Sequence, residues 1–365
     1  MKKVDWYILA ELAGPFFFGV AAFASIMIGS SLLYEIARYL VDWNMPIELA
    51  GQIFLLRLPG VVVLTFPMAT LLGSLLAFGR LSGDNEIIAL KAGGVSFVRL
   101  VIPILLVGLV TSVVTIYVNE RLVPFTEFET RRLVYEFRYS RNLPSTQDYL
   151  SFSPIDKKQG TPDYMLYARK FNGKTGTLTD VYYQDFEDKR IVSMIEAEKA
   201  VWTDEKWHFK NGKTYYFPEN EPVFEGDFKD MEMKQITRSP RTISLNSKKT
   251  EEMTAKELKK LIDIYREDGR DVNKLLVDYY QRYSIPFACL VFALIGAPLG
   301  LQPNRSGSSI GLGLSIIVIF IYYVVLTMGG ALGRSGTIPP IVGSWLPNII
   351  FTLVGLGLSV KAARS

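Results

Sequence analysis

The sequence predicts an α-helical membrane protein with six transmembrane helices and an inserted extracytoplasmic all-β domain that is jelly-roll-like. Three observations predict this class. Six long stretches of the 365-residue chain contain no Asp, Glu, Lys or Arg, and most of the charge lies in one block between the third and fourth stretches. Within that block, Ser145–Leu245 contains runs that alternate apolar and polar residues with the period of a β-strand.

The charge-free stretches are long enough to cross a lipid bilayer, because a hydrocarbon core of about 30 Å needs about 20 helical residues. A buried helix of a soluble protein is the alternative for any one stretch, but six together favour membrane spans. The stretches are Leu12–Leu33, Leu58–Gly79, Val101–Val118, Tyr283–Asn304, Ser306–Gly333 and Ser335–Val360.

The distribution of Lys and Arg predicts the orientation, since short cytoplasmic loops carry an excess of both. Basic residues precede the first stretch, follow the sixth and lie between the second and third, whereas residues 41–50 contain none. Both termini are therefore expected in the cytoplasm. The single cysteine, Cys289, lies in the fourth stretch, so no intrachain disulfide is expected in the β domain.

These expectations divide the chain into four regions. Residues 1–122 hold transmembrane helices 1–3 with a short cytoplasmic helix at about 84–93, residues 123–253 form the extracytoplasmic β domain, residues 254–282 form amphipathic connector helices, and residues 283–365 hold transmembrane helices 4–6.

Local motifs predict turns and a helix within the polar block. The pairs Asn172-Gly173 and Asn211-Gly212 favour hairpin turns, because both residue types tolerate positive φ. Thr254 and Glu257 have capping-box spacing. An apolar helical face follows, and Gly269 is expected to end that helix; the face consists of Leu258, Leu261, Ile262 and Tyr265.

Two motifs resemble catalytic signatures but lack the required context. "ARKFNGKT" at 168–175 fits a relaxed Walker A pattern, but a strand-like segment follows it instead of a helix. "GSSIG" at 307–311 fits G-x-S-x-G, but the single histidine, His208, precedes it. The charge-free spans also disfavour intramembrane chemistry. We therefore expect no catalytic residue, no metal site and no cofactor bound by this chain.

The stretch "GDNEIIALKAGG" at 83–94 predicts a short cytoplasmic helix, which Ser82 or Asp84 caps and Gly93-Gly94 ends. A solvated turn is the simpler interpretation. The alternative is a docking helix for an ATPase, since the chain has no ATP site of its own. Glu86 is the expected key polar contact, and the full set is Asp84, Glu86, Ile87, Ile88, Leu90 and Lys91.

Four segments carry a family resemblance: "GRLSGDNEIIALKAGGVSFVRLV", "MTAKELKKLIDIYREDGRDVNK", "IPFACLVFALIGAPLGLQPNRSGSSIGLGLSIIVIFIYYVV" and "LGRSGTIPPIVGSWLPNIIF". In sequence and in order they resemble the lipopolysaccharide-export permease family (LptF/LptG, formerly YjgP/YjgQ). The resemblance covers essentially the whole chain. It implies a membrane subunit of an ATP-binding-cassette exporter in the bacterial inner membrane.

The resemblance also implies partners. Two permease chains, paralogues or copies, pair with each other and bind a cytoplasmic ATPase dimer that holds ATP and Mg²⁺. Lipopolysaccharide passes from the membrane to a periplasmic β-jelly-roll bridge protein, and no nucleic acid is expected to bind. Two other functions stay open: an intramembrane lipid-modifying enzyme, and a membrane scaffold whose β domain binds a partner.

Lipid-binding residues are expected at two places. Family members that contact lipid A phosphates carry a Lys cluster near the outer end of the first span, where this chain has Arg38; Arg131 and Arg132 could supplement it. An i,i+3 pair with Glu35 is the alternative role for Arg38. In the β domain we expect a lipid-carrying interior, with an ordinary closed core as the alternative. Its lining is expected to include Tyr164, Phe171, Tyr182 and Phe186.

Overall fold

The computed structural model describes residues 3–139, 146–153, 163–172, 175–187, 190–219, 222–233, 235–236, 239–240, 248–301 and 308–364. The chain divides into two compact units, Met1–Val134 with Asn273–Ser365, and Tyr135–Val272. Helices of membrane-spanning length build the first unit, and an antiparallel sheet belongs to the second. The predicted fold class, six apolar helices with an inserted β domain, is therefore confirmed.

Within the described ranges, six helical segments are long and apolar enough to cross a membrane. The first consists of α1 (Lys3–Met27), a π-helical turn (Ile28–Leu32) and α2 (Leu33–Asp42). The others are α3 (Ile47–Gly83), α5 (Phe97–Tyr139), α7 (Asn273–Gly300), α8 (Ser308–Arg334) and α9 (Pro340–Arg364). Two shorter helices are α4 (Glu86–Ala92) and α6 (Ala255–Glu267).

Several of these helices are much longer than the charge-free stretches that predict them. Helix α5 has 43 residues, which corresponds to about 65 Å and exceeds the thickness of a bilayer core about twofold. Charged residues such as Arg57 and Glu127 therefore belong to membrane-length helices, although they lie outside the charge-free stretches.

Helices α3 and α7 form the centre of the helical unit, and their most apolar windows are the most buried of the six. Glycines allow their close approach. A Cβ atom added at Gly296 would lie 2.6 Å from the Cβ of Ser74, and one at Gly300 would lie 2.7 Å from that of Phe78. Small residues commonly permit such contacts between membrane helices.

The described strands of the second unit form one antiparallel sheet in sequence order. Each strand pairs with its neighbours in the chain, so β1 and β6 are the edges of this sheet. The strands are β1 (Thr146–Phe152), β2 (Tyr164–Asn172), β3 (Thr177–Glu187), β4 (Arg190–Thr203), β5 (Lys206–Tyr216) and β6 (Phe224–Met233).

Of the two predicted Asn-Gly hairpins, the structure confirms the first and contradicts the second. Strands β2 and β3 pair from Asn172 and Thr177 onward, so the first hairpin is confirmed, although Gly173 lies outside the described residues. The second prediction is wrong, because Asn211-Gly212 lies within β5. Gly212 is needed for close packing: a Cβ there would lie 2.0 Å from the carbonyl oxygen of Glu196.

The turn between β4 and β5 lies at Asp204-Glu205 instead. Their φ angles are 51° and 61°, as a two-residue type I′ turn requires. Asp tolerates this left-handed conformation better than most residues do, since its short polar side chain can form local hydrogen bonds.

A line of irregular backbone crosses the sheet. At this line, five neighbouring strands each place two consecutive residues outside the buried face: 169–170, 179–180, 198–199, 210–211 and 229–230. Two of these residues, Asp180 and Asn211, have positive φ angles of 51° and 52°. In each of these five strands the alternation between the two faces changes phase at this line, so the same face stays buried on both sides of it.

Helix α6 begins as predicted. The Thr254 hydroxyl accepts a hydrogen bond from the backbone N–H of Glu257, and the Glu257 carboxylate accepts one from the N–H of Thr254 at 2.9 Å. Leu258, Leu261 and Ile262 are buried. The helix ends before Gly269, whose φ of 62° is left-handed.

Candidate functional site

Helix α4 is a separate seven-residue helix that lies between two left-handed residues, Asn85 and Gly94. It begins at Glu86 after Asn85, whose φ is 58° and whose side chain makes no capping hydrogen bond. The predicted caps Ser82 and Asp84 are therefore wrong; Asp84 lies 3.8 Å from Arg80 instead. The predicted end is confirmed, because Gly93 follows the last helical residue and Gly94 has φ of 85°.

One face of α4 is buried and another is open. Ile87 is 4% exposed and packs in an apolar cluster with Ile8 of α1, Phe78 of α3 and Phe97 of α5. Ile88 on the other side is 62% exposed. Ile87 therefore anchors α4 to the helical unit and is unavailable to a docking protein, whereas Ile88 remains available.

Glu86 is held by a residue distant in the sequence. The hydroxyl of Tyr7 on α1 donates a hydrogen bond of 2.7 Å to Oε2 of Glu86. The two residues border an open pocket of about 460 Å³, lined by Lys3, Val4, Tyr7, Glu86, Ala89 and Leu90. Sequence reasoning missed Tyr7, because no periodicity links residues that lie 79 positions apart.

A second polar junction joins the first span, α3 and α5. Arg57 of α3 lies 2.6 Å from Glu127 of α5 and 3.2 Å from Glu35 of α2. The hydroxyl of Tyr39 donates to the same oxygen of Glu35. These charged side chains are half-buried, so solvent screens them only partly. Sequence reasoning missed Arg57 because it considered only the charge-free stretches.

Arg38 lies on α2, one residue before Tyr39, and its side chain is exposed. Its guanidinium carbon lies 6.0 Å from the centre of the Tyr39 ring. In the part of the chain that the structure describes, Arg38 forms no ion pair, and Glu35 pairs with Arg57 instead. The alternative i,i+3 pair between Arg38 and Glu35 is therefore not observed.

The two other predicted basic residues lie on α5. Arg132 forms an ion pair of 2.9 Å with Glu129, which compensates its charge. Arg131 lies over the ring of Phe128 at 5.9 Å. It follows Glu127 by four residues, so it lies on the same side of α5 as the Arg57 junction.

The buried face of the sheet contains two of the four predicted aromatic residues. Tyr164 and Phe171 are 8% and 1% exposed and belong to the apolar cluster of this face. Phe186 is half-buried, next to a shift in strand register after Asp185.

The assignment of Tyr182 to the buried face is wrong. Tyr182 is 36% exposed, and its hydroxyl donates a hydrogen bond of 3.0 Å to Glu196. Its neighbour Tyr183 faces inward instead. The left-handed residue Asp180 causes the difference, since it changes the phase of alternation after Leu178.

Tyr183 carries a buried hydroxyl group that has no hydrogen-bond partner among the described residues. Its ring stacks on that of Tyr164 with 5.4 Å between centroids. Burial, together with the nearby carboxylate of Asp185, raises the pKa of Tyr183. Tyr183 thus places one polar atom in an otherwise apolar interior.

The catalytic-looking motifs lie in other structural contexts. The Walker-like segment leads into β3, which begins at Thr177, and a phosphate-binding helix does not follow it. The residues of "GSSIG" from Ser308 onward begin α8. Six membrane-length helices, a β domain inserted between the third and fourth, and a partly exposed short helix define the class of multi-pass membrane proteins.

The comparisons with known proteins identify the family. The family model for the lipopolysaccharide export system permease LptF/LptG matches residues 6–361. The chain therefore belongs to this family of permeases, which are transport subunits and not enzymes.

Individual relatives agree with this assignment. The chain is 24% identical to the lipopolysaccharide export system permease protein LptG of Escherichia coli strain K12, with 86% of this chain and 85% of the relative covered. It is 23% identical to LptG of Haemophilus influenzae, with 82% of each covered. It is 19% identical to LptF of Escherichia coli strain K12, with 90% and 87% covered.

Proposed function

We propose that the chain is the permease subunit of an ATP-binding-cassette exporter. It takes lipopolysaccharide, or a related anionic glycolipid, from the bacterial inner membrane and passes it to a periplasmic β-jelly-roll bridge protein. The family match over residues 6–361 carries the proposal, because it includes all six membrane helices, α4 and the sheet.

A separate ATPase supplies the energy in this proposal. A dimeric ABC ATPase, with ATP and Mg²⁺ bound to it, docks on α4 of this chain and of a second permease chain. Glu86 offers a carboxylate beside an open pocket, and Ile88 offers exposed apolar surface. Asp84, Leu90 and Lys91 complete the contact. This arrangement requires α4 and both termini in the cytoplasm and the β domain in the periplasm.

The lipid head group binds at Arg38 in this proposal. An exposed guanidinium without an ion pair can form two parallel hydrogen bonds to a phosphate. Arg131, one helical turn beyond the Arg57 junction, supplements it, and Arg132 contributes when it leaves Glu129.

The β domain provides the route for the acyl chains. At roughly 0.8 kcal/mol per CH₂ group, exposure of one 14-carbon chain to water costs about 11 kcal/mol, so the route has to stay apolar. Tyr164, Phe171 and Phe186 border the inner face, with Tyr183 in place of Tyr182. The bridge protein adds its own strand at an edge of the sheet, β1 or β6, through backbone hydrogen bonds.

Mass spectrometry of the intact complex, extracted in detergent from native membranes, tests this function. We expect masses for a second permease chain, two ATPase chains and a phosphorylated glycolipid. Arg38→Gln should reduce glycolipid occupancy, whereas Arg169→Gln, which changes an exposed arginine of the sheet, should not. A chain without ATPase and glycolipid would favour the scaffold alternative, and a lipid product of altered mass would favour the enzyme.

A further inference from the structure

The Tyr7–Glu86 hydrogen bond joins two helices that meet at one end of the bundle. Tyr7 lies in the second turn of α1, and Glu86 is the first residue of α4. Their neighbours Ile8 and Ile87 are 1% and 4% exposed and belong to one apolar cluster. Both residues belong to the apolar cluster of the helical unit, and the hydrogen bond is a direct link between the two helices beside it.

The hydrogen bond restricts the side-chain conformation of Glu86 but does not neutralise its charge. Tyr7 donates to Oε2, whereas Oε1 has no hydrogen-bond partner in the described part of the chain. A carboxylate accepts several hydrogen bonds, so Glu86 can still receive a cationic group. A glutamate on a seven-residue helix would otherwise sample several rotamers.

We propose that Tyr7 is a positioning residue for Glu86, so that the beginning of the first span and α4 form one composite docking surface. The occupant is a cationic side chain of the ABC ATPase, as the charge of Glu86 requires; the inference rests on the proposed function. The pocket beside Glu86 is also lined by Lys3 and Val4 of α1 and by Ala89 and Leu90 of α4. The first span, which also carries Arg38, thereby contacts the docking surface directly.

The size of the effect follows from preorganisation. Ordering a free side chain at an interface costs about 0.5–1.5 kcal/mol, which corresponds to about 2- to 12-fold in affinity. Tyr7→Phe removes the hydroxyl and keeps the ring, so the packing of α1 should stay unchanged. We therefore expect the affinity for the ATPase to fall by about 2- to 12-fold.

A double-mutant cycle provides the test. Wild type, Tyr7→Phe, Glu86→Gln and the double variant are reconstituted in nanodiscs with the second permease chain, and the exporter's purified ABC ATPase is titrated onto each. Tyr7→Phe should weaken binding in the wild-type background and have no further effect in the Glu86→Gln background. Tyr34→Phe is the matched control, because Tyr34 lies on the same span and is 71% exposed. This substitution likewise removes a hydroxyl and keeps the ring.

The possible results separate the two proposals. If Glu86→Gln weakens binding but Tyr7→Phe does not, or if Tyr7→Phe weakens binding equally in both backgrounds, the positioning role is overturned and docking on α4 stands. If Glu86→Gln leaves binding unchanged, docking through Glu86 and the positioning role are both overturned.

Discussion

Arg57 of α3 and Glu127 of α5 form an ion pair of 2.6 Å, 70 residues apart in the sequence. The same guanidinium lies 3.2 Å from Glu35 of α2. One side chain thus links three of the six membrane helices, at the end of the unit where α2 is followed by α3.

Replacement of Arg57 by methionine should destabilise the helical unit. It leaves two half-buried carboxylates without their shared cation, and we expect a loss of about 1–3 kcal/mol. Arg57→Lys should cost less, since the charge is kept. Thermal unfolding of the detergent-purified chain measures both. Arg38→Met, at an exposed arginine without an ion pair, is the control; equal melting temperatures for Arg57→Met and Arg38→Met would show that the junction does not stabilise the bundle.

Gly212→Ala should destabilise the β domain. The added Cβ would lie 2.0 Å from the carbonyl oxygen of Glu196 and 2.6 Å from the ring of Phe228, and overpacking of this kind costs about 1–3 kcal/mol or more. Gly226→Ala on β6 is the matched control, because its nearest contact would be an ordinary 3.5 Å. Limited proteolysis of the full chain compares them, and equal cleavage rates would contradict the close approach at Gly212.

Signals that are local in the chain are predictable from the sequence, and contacts between distant residues are not. Thr254 with Glu257, and Gly93 with Gly94, act within one helical turn, so their patterns are visible directly. Tyr7 has no local signal for its contact with Glu86. The order of the helices and the position of the inserted sheet are predictable from the distribution of charged residues, because each charge-free stretch extends over many residues.

The sheet shows why regular alternation fails at particular positions. Strict alternation from Leu178 places Tyr182 inward, but left-handed Asp180 changes the phase and brings Tyr183 inward instead. At Asn211-Gly212 the residue pair favours a turn, whereas Gly212 is required by the approach of β4 and of Phe228. Both errors arise from tertiary packing that a short sequence window does not contain.

Thr254→Ala should loosen α6, because loss of such a cap costs about 0.5–2 kcal/mol, and Thr254→Ser should restore it. The pKa of Glu257 is also affected: burial raises it, but hydrogen bonds from Lys248 and Thr254 outweigh burial and lower it. A carboxyl group with a lowered pKa contributes stability above its unfolded value of about 4.3 and loses it as pH falls through the folded pKa.

Hydrogen exchange of residues 255–267 in the full chain measures this cap. Protection should be lower in Thr254→Ala than in wild type at pH 7, and the difference should shrink toward pH 4. A difference that grows as pH falls would be inconsistent with a capping role for ionised Glu257.

Photo-cross-linkers in the β domain should distinguish its two faces. At positions 164 and 183, on the buried face, we expect glycolipid adducts during ATP turnover. At position 182, on the opposite face, we expect none, because Tyr182 is exposed and bonded to Glu196. Adducts at 182 but not at 183, or none at any position with ATP present, would mean that the lipid does not cross this inner face.

The most direct measurement is ATP-dependent release of lipopolysaccharide from proteoliposomes that contain this chain, its second permease chain and the ABC ATPase, with the bridge protein outside. We expect release that requires ATP and that Glu86→Lys abolishes, since loss of a charged interface partner costs about 2–5 kcal/mol. Glu48→Lys, an exposed charge reversal at the first turn of α3, should retain release. Full ATP-dependent release with Glu86→Lys, or no release from the intact wild-type complex, would contradict the proposal that ATP hydrolysis drives lipid export through α4.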